Sequence, residues 1–369
     1  MMIFTLLSKK LPELRWSIVV LLLLISLCGI SMLYSVAGGS IYPWALKQGI
    51  RIIIGVVAML ILSVTPPRFF YNQAYVLFLG SFLLLLGVEV MGFIGMGAKR
   101  WINLYIFNLQ PSELMKLTLV LALARYFHHL PEDGQKWRFQ IYPALFIFVP
   151  MGLILRQPDL GTAIVLLLTG SCLFFASGFP WWKIGILGVS VLGGLPVVWS
   201  HMHTYQKARV LTFLNPERDP LGAGYHIIQS KIAFGSGGFW GKGFLQGSQS
   251  QLNFLPEKQT DFIFTSFCEE MGFVGGVFVL SLYGAIILYA YRVGFSARNM
   301  FEKYMTLGMS AVMFLYVFIN MAMIMGMLPV VGVPLPLMSY GGTSVLTFLM
   351  ACGFVFSVDI HHNRRMRHI

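Results

Sequence analysis

The sequence predicts an all-α, polytopic integral membrane protein of about ten transmembrane helices. Three observations predict it. Hydrophobic residues fill 57% of the 369 positions and charged residues only 11%, against roughly 25% charge in an average soluble domain. The mean hydropathy is +0.75. The apolar residues fall in runs near the roughly 20 residues that a helix needs to cross the hydrocarbon core, with shorter spans allowed where protein covers them.

The first run, 16–36, continues past residue 30 and more runs follow it, so it is read as an anchor and not as a leader peptide. Runs at 48–65 and 74–94 follow. The fourth, 113–128, is entered through "QPSELMK". Ser112 is read as its N-cap, Glu113 falls in the first turn where the helix dipole favours an anion, and Lys116 lies three residues on, on the same face. The fifth run is 140–155. "RQPDLGT" then carries Asp159 into the N-terminal end of the sixth, 161–179, where a capping carboxylate contributes about 1 kcal/mol. The seventh is 182–200.

Between helices 7 and 8 lies a loop, 201–262, far longer than most connections. Its stretch "GYHIIQSKIAFGSGGFWGKGF" is rich in aromatics, Ile and Gly, a composition that argues against disorder. A large structured loop folded onto the membrane surface is expected. The last runs are 263–291, 304–327 and 341–360. "MGMLPVVGVPLPLMSYGGTS" joins the final two; if it is not helical, its backbone must line a cavity or be covered by protein, because lipid cannot satisfy it.

An even number of spans puts both termini on one side. Short cytoplasmic loops are enriched in Lys and Arg. Fourteen of them, including Lys9, Lys10, Arg15, Arg68, Arg125, Arg292 and Arg364, fall on the side of the termini, against six on the other: Lys47, Arg51, Lys99, Arg100, Lys116 and Arg156. Both termini are therefore expected in the cytoplasm, with residues 1–15 and 361–369 as tails; "HHNRRMRHI" reads as an anchor on the inner leaflet rather than a metal site at His361 and His362. No internal repeat or linker divides the chain, and 1–369 reads as one membrane domain. The net charge of +12 is scattered among spans instead of forming a basic stripe, which argues against nucleic acid. Cys28, Cys172, Cys268 and Cys352 show neither metal-ligand nor disulfide-framework spacing and read as packing residues.

Polar residues gather at the predicted outer ends of the spans, where they are expensive and mark candidate function. "KRW" joins Arg100, whose paired donors suit a diphosphate, to Trp101, whose ring suits a sugar face; interfacial snorkelling and anchoring are the bland alternatives. Glu113 with Lys116 is a site candidate or a self-satisfied ion pair. Asp159 is a cap or a functional acid. The loop glycines fail both the Walker spacing and GxGxxG, so no nucleotide site is expected. They are read instead as permitting tight turns and close approach of a ligand, with Lys231 and Lys242 as charge partners. "NFLPEKQTDFIF" places Glu257, Lys258 and Asp261 before an apolar wall, and Asp261 is expected to share one outward hollow with the Pro/Gly-rich connection.

"GAKRWI", "QPSELMK", "QPDLGTA", "LGAGYHIIQSKIAFGSGGFWGKGFLQGSQSQLNFLPEKQTDFIF", "EEMGFVG" and "LPVVGVPLPLMSYGG" together resemble the SEDS family of shape, elongation, division and sporulation proteins, from the first span to the last. The long loop is closer to the rod-shape branch than to the division branch. Cys268 departs from the small residue usual before "EE". The resemblance implies a ten-helix inner-membrane glycosyltransferase that polymerises lipid II into glycan strands, with a class B penicillin-binding protein and the elongation machinery as partners and a divalent cation, Mg or Mn, as cofactor. It implies Asp261 as the essential carboxylate. Arg100, Trp101, Glu113, Lys116, Asp159 and Arg209 match residues implicated in activity or substrate binding, and Lys231, Glu257 and Lys258 carry a weaker expectation.

On that footing Asp261 is the expected general base for the attacking sugar hydroxyl, a role worth about 10²- to 10⁴-fold, with an N-cap of the next span as its structural alternative. A lipid II flippase and a non-catalytic scaffold are the rival functions. A flippase needs polar lining along the whole crossing, whereas only Glu89 sits well inside a span.

Overall fold

The computed structural model describes residues 10–95, 98–103, 108–130, 139–179, 204–215, 223–252, 254–255 and 257–367, with single positions between 182 and 200. Among them, nine of the ten expected spans are helices: α1 (Trp16–Val36), α2 (Trp44–Val64), α3 (Pro67–Met91), α4 (Pro111–His128), α5 (Ile141–Arg156), α6 (Leu160–Ala176), α10 (Ile263–Ser296), α11 (Met300–Ile324) and α12 (Gly342–Arg367). The span expected at 182–200 lies, apart from isolated helical positions, outside the described residues. Six of the nine are long and apolar enough to cross a membrane, and α5 and α6 are shorter apolar helices. The fold is that of an all-α polytopic membrane protein.

Boundaries differ from expectation where proline sets them. Pro67 and Pro111 occupy the first turns of α3 and α4, where a missing N–H costs nothing, so both helices start before their apolar runs do. The N-cap of α4 is Gln110, not Ser112. At α6 the cap is Asp159, whose side chain accepts from the Thr162 N–H, one of the two roles its sequence position left open.

In its described residues the long loop is structured, containing α7 (Thr204–Leu214), α8 (Ala223–Ser236) and α9 (Ser248–Gln251). A three-stranded antiparallel sheet, β1 (Phe93–Gly95), β2 (Ala98–Asn103) and β3 (Asn108–Leu109), fills the connection between α3 and α4. Hydropathy gave no sign of it; a connection without helix satisfies its backbone by pairing with itself.

The helices alternate between two ends. At one, Lys10 donates to the Val64 carbonyl and meets His361, while Arg15 pairs with Asp359 at 2.9 Å. Both ends of the described chain thus lie together. The opposite end holds the sheet, the long loop and the α11–α12 connection. Helices α4, α11 and α12 are buried on most sides, whereas α2 and α3 turn much of their surface outward.

The α11–α12 connection is not helical, and protein covers it. Val333, Leu335, Leu337 and Met338 are buried. Gln48 of α2 donates to the Ser339 carbonyl at 2.8 Å, and Tyr283 of α10 donates to that of Pro336. Glycine lets helices press against it: a Cβ on Gly29 of α1 would stand 2.4 Å from the Leu337 oxygen, and one on Gly161 of α6 would stand 2.5 Å from that of Val331.

Candidate functional site

Asp261 lies near the end of a run of turns, 257–262, at the entrance to α10, whose N-cap is Phe262. Its side chain is part-buried, and its Oδ2 lies 3.7 Å from the position a Cβ on Gly332 would take. Gly332 has φ +74°, a left-handed conformation that glycine adopts without penalty. The carboxylate and the Pro/Gly-rich connection therefore face one another, as the sequence suggested. Two bonds hold the approach: the Tyr340 N–H donates to the Gln259 carbonyl at 2.8 Å, and buried Asn320 of α11 donates from one Nδ2 to the carbonyls of Asp261 (3.1 Å) and Val333 (2.8 Å).

The same connection meets the start of α6. Asp159 is buried there; its Oδ1 takes the Thr162 N–H and its Oδ2 takes Gln110 Nε2 at 2.9 Å. Arg100 of β2 secures the turn before it, donating to the carbonyls of Gln157 and Pro158. The "KRW" guanidinium is thus engaged with protein backbone. Trp101, in the same strand opposite Phe93, is part-buried.

Glu113 and Lys116 form a buried pair, Nζ to Oε1 at 2.7 Å. Tyr316 of α11 closes it, its hydroxyl accepting from Lys116 at 2.6 Å and donating to the other Glu113 oxygen. The ammonium also lies over the Tyr316 ring, 4.3 Å from its centroid. All three side chains are almost inaccessible, so in this conformation the cluster is internally satisfied rather than open to a ligand.

The loop residues divide. Arg209 lies in α7, and its side chain falls outside the described positions. Exposed Lys231 of α8 extends its Nζ against Gly326 at the C-terminal end of α11, where the helix dipole favours a cation. Exposed Glu257 accepts from the Thr260 hydroxyl at 3.0 Å. Lys258 donates to the Ser250 carbonyl at 2.6 Å, and burial draws its ammonium below the ordinary lysine value.

The loop glycines approach not a ligand but α10. That helix breaks at Gly272 (φ 69°, ψ −170°), and the loop supplies the hydrogen bonds lost there. The Lys242 and Gly243 N–H groups donate to the Glu269 and Glu270 carbonyls at 3.0 Å each, while Phe273 and Val274 donate back to Gly238 and Phe239. A Cβ on Gly237 or Gly241 would stand 2.1 Å from a carbonyl oxygen of α10. The two glutamate side chains continue the clamp. Glu269 accepts from Lys242 (2.7 Å), Ser248 and the Gln249 N–H; Glu270 accepts from Ser35 and the Leu245 N–H. "EEMGFVG" was legible only as wording, since nothing in its spacing announced this role. Tyr316 and Asn320 were likewise unread. The signal available was a phenol and an amide inside "FLYVFINMAMI", polar groups that a membrane helix does not bury without partners.

The arrangement brings a part-buried carboxylate, Asp261, and a helix-capping one, Asp159, close to a single covered connection. Among the described residues no three His, Cys, Asp or Glu side chains gather as metal ligands.

A family model described as "Cell cycle protein", FTSW_RODA_SPOVE, matches residues 11–364. The peptidoglycan glycosyltransferase MrdB of Escherichia coli K12 is 42% identical over 346 residues, covering 92% of each chain. The peptidoglycan glycosyltransferase RodA of Treponema pallidum is 33% identical over 386 residues, covering 85% of this chain and 89% of that protein. Among solved structures, a chain from a peptidoglycan synthase complex that coordinates polymerization and crosslinking aligns with a TM-score of 0.81 at 31% identity, over 95% of this chain and 98% of the other. The rod shape determining protein RodA of Thermus thermophilus aligns at 0.71 and 27% identity, over 94% and 96%.

Proposed function

The chain belongs to the FtsW, RodA and SpoVE family of cell cycle proteins, and from that premise we propose that it is a peptidoglycan glycosyltransferase, joining lipid II disaccharides into glycan strands for cell-wall elongation and cell shape. The observation that carries this reading is the end-to-end similarity to relatives named for that activity.

The chemistry then assigns Asp261 as the general base. A sugar hydroxyl of the acceptor forms a bond to the anomeric carbon of the donor, its proton passes to the Asp261 carboxylate, and the bond from that carbon to the diphosphate breaks, with the lipid diphosphate leaving on the electron pair. One carboxylate suffices, because the diphosphate leaves without needing a proton donor. The place of Asp261 at the end of the bundle away from the described termini suits a substrate whose reactive bond lies at headgroup level and whose tail stays in lipid. Arg100, Trp101, Glu113, Lys116, Asp159, Arg209, Lys231, Glu257 and Lys258 form the substrate-binding surroundings in this reading, with Arg100, Glu113, Lys116 and Asp159 acting through the geometry they hold.

A divalent cation fits without a closed protein cage. Magnesium is held typically by one or two carboxylates together with substrate phosphates; one oxygen of Asp261 would serve it while the other stays free as the base, and the ion would supply charge to the departing diphosphate. The protein works as one membrane domain in the bacterial inner membrane, with both termini cytoplasmic and the Asp261 end outward. Its partner is a class B penicillin-binding protein within the elongation machinery, in keeping with the synthase complex to which it is similar.

The test is reconstitution of the purified chain with lipid II and a transpeptidase-inactive partner, resolving products by gel. Glycan ladders from the native protein and none from Asp261→Asn are expected. Ladders of normal length from Asp261→Asn would overturn the base assignment, and none from the native chain would overturn the activity.

A further inference from the structure

Asn320 is fully buried in α11, in a run of apolar neighbours. Its Nδ2 carries two hydrogens, and both are used: one on the carbonyl of Asp261 at 3.1 Å, the other on that of Val333 at 2.8 Å. Each acceptor lies in irregular backbone, at the end of the long loop and in the α11–α12 connection. Lipid cannot satisfy such carbonyls. With the Tyr340 N–H bond to the Gln259 carbonyl two residues earlier, this amide therefore ties the residue bearing the carboxylate to the segment that the carboxylate faces, and of the two bonds it is the one made to Asp261 itself. Gly332, which faces Asp261 Oδ2 and holds a left-handed φ of +74°, immediately precedes Val333.

Other bonds to the connection are made elsewhere. Gln48 holds Ser339, Tyr283 holds Pro336 and Ser339 holds Leu335; none of these touches Asp261. Asn320 Oδ1 has no partner among the described residues. Gln48 Oε1 shares that state; what separates the two amides is that Asn320 reaches the carbonyl of Asp261 and Gln48 reaches that of Ser339.

We infer that Asn320 is a positioning residue for the reaction: its amide sets the spacing between the Asp261 carboxylate and the Val331–Val333 segment, and it acts on catalysis through Asp261 alone. The inference rests on the reading of Asp261 as the base. A general base must stand within hydrogen-bond reach of the proton it removes, and a displacement of about 1 Å can cost on the order of 100-fold in rate.

The experiment measures kcat and KM for lipid II polymerisation, with thermal unfolding in detergent, for four variants in the full chain with its partner. Asn320→Leu should lower kcat about 10- to 100-fold with KM within about twofold of native. Gln48→Leu, which removes a comparable buried amide bond to the same connection, should leave kcat within about threefold. If Asn320→Leu does not fold, Gly332→Ala, whose side chain strains the left-handed backbone at φ +74° and so shifts the facing segment, should show the same division between kcat and KM. Native kcat in Asn320→Leu, equal losses in Asn320→Leu and Gln48→Leu, or a loss confined to KM overturns the inference. Asp261→Asn is run in parallel. If it abolishes synthesis while Asn320→Leu is native-like, only the positioning role falls; if it retains full activity, the base assignment falls and the inference with it.

Discussion

Lys242 and Glu269 meet at 2.7 Å, Nζ to Oε1, with the lysine side chain 29% exposed and the carboxylate wholly buried. This pair ties the glycine-rich loop to the broken turn of α10. A buried carboxylate deprived of its cation is more costly than the pair itself is stabilising, because desolvation remains after the attraction is gone. Lys242→Met is therefore expected to destabilise the protein by on the order of 3 kcal/mol, and Glu269→Gln added to it should recover part of that loss by removing the stranded charge. Thermal unfolding followed through reaction of the buried thiols of Cys268 and Cys352 measures both. If the double variant is no more stable than the single one, the pair is not what holds the loop.

Glu113, Lys116 and Tyr316 form a closed cluster, and each removal strands a different group. Glu113→Ala leaves a buried ammonium whose remaining partner is a neutral hydroxyl, at an expected cost of about 3–5 kcal/mol. Tyr316→Phe removes the hydroxyl but keeps the ring and the ion pair, so about 1–3 kcal/mol is expected. The order of the two melting temperatures, with Tyr316→Phe above Glu113→Ala, is the outcome that checks the arrangement. Equal values would mean that the tyrosine hydroxyl, and not the ion pair, carries the cluster.

Helix existence was legible because the bilayer imposes a length and a composition that any apolar run displays. Ends were less so. Pro67 and Pro111 extend their helices beyond the apolar residues, and Gln110 takes the capping position that Ser112 seemed suited to. The placement of Asp261 against the Pro/Gly-rich connection could be read, since both are polar or irregular segments at one end of the bundle. Who holds them there could not: the bonds from Asn320 and Gln48 span 59 and 291 positions of sequence, and no local pattern encodes a contact at that separation. The glycines of the long loop misled for a related reason. Close backbone approach was the correct physics, but whether the approaching backbone belongs to a ligand or to α10 depends on tertiary structure alone.

Gly237 and Gly235 lie two positions apart, and the structure separates them sharply. A Cβ on Gly237 would stand 2.1 Å from the Cys268 carbonyl oxygen, whereas one on Gly235 would meet nothing within 4 Å. Neither has the left-handed backbone conformation that would penalise a side chain by itself, so space alone distinguishes them. The obstruction at Gly237 is helix backbone, which cannot rotate aside as a side chain can, and overpacking of this kind costs about 1–3 kcal/mol or more. Gly235→Ala sits within α8 and should be neutral or slightly stabilising, since alanine favours helix by about 1 kcal/mol over glycine. Gly237→Ala should lift the loop from the break in α10, freeing the Glu269 and Glu270 carbonyls, and so open the 237–251 segment to protease. Limited proteolysis of the detergent-solubilised protein reads this directly: faster cleavage in Gly237→Ala, with Gly235→Ala cut no faster than native. Equal cleavage of the two variants would show that the loop is not seated on α10 as described.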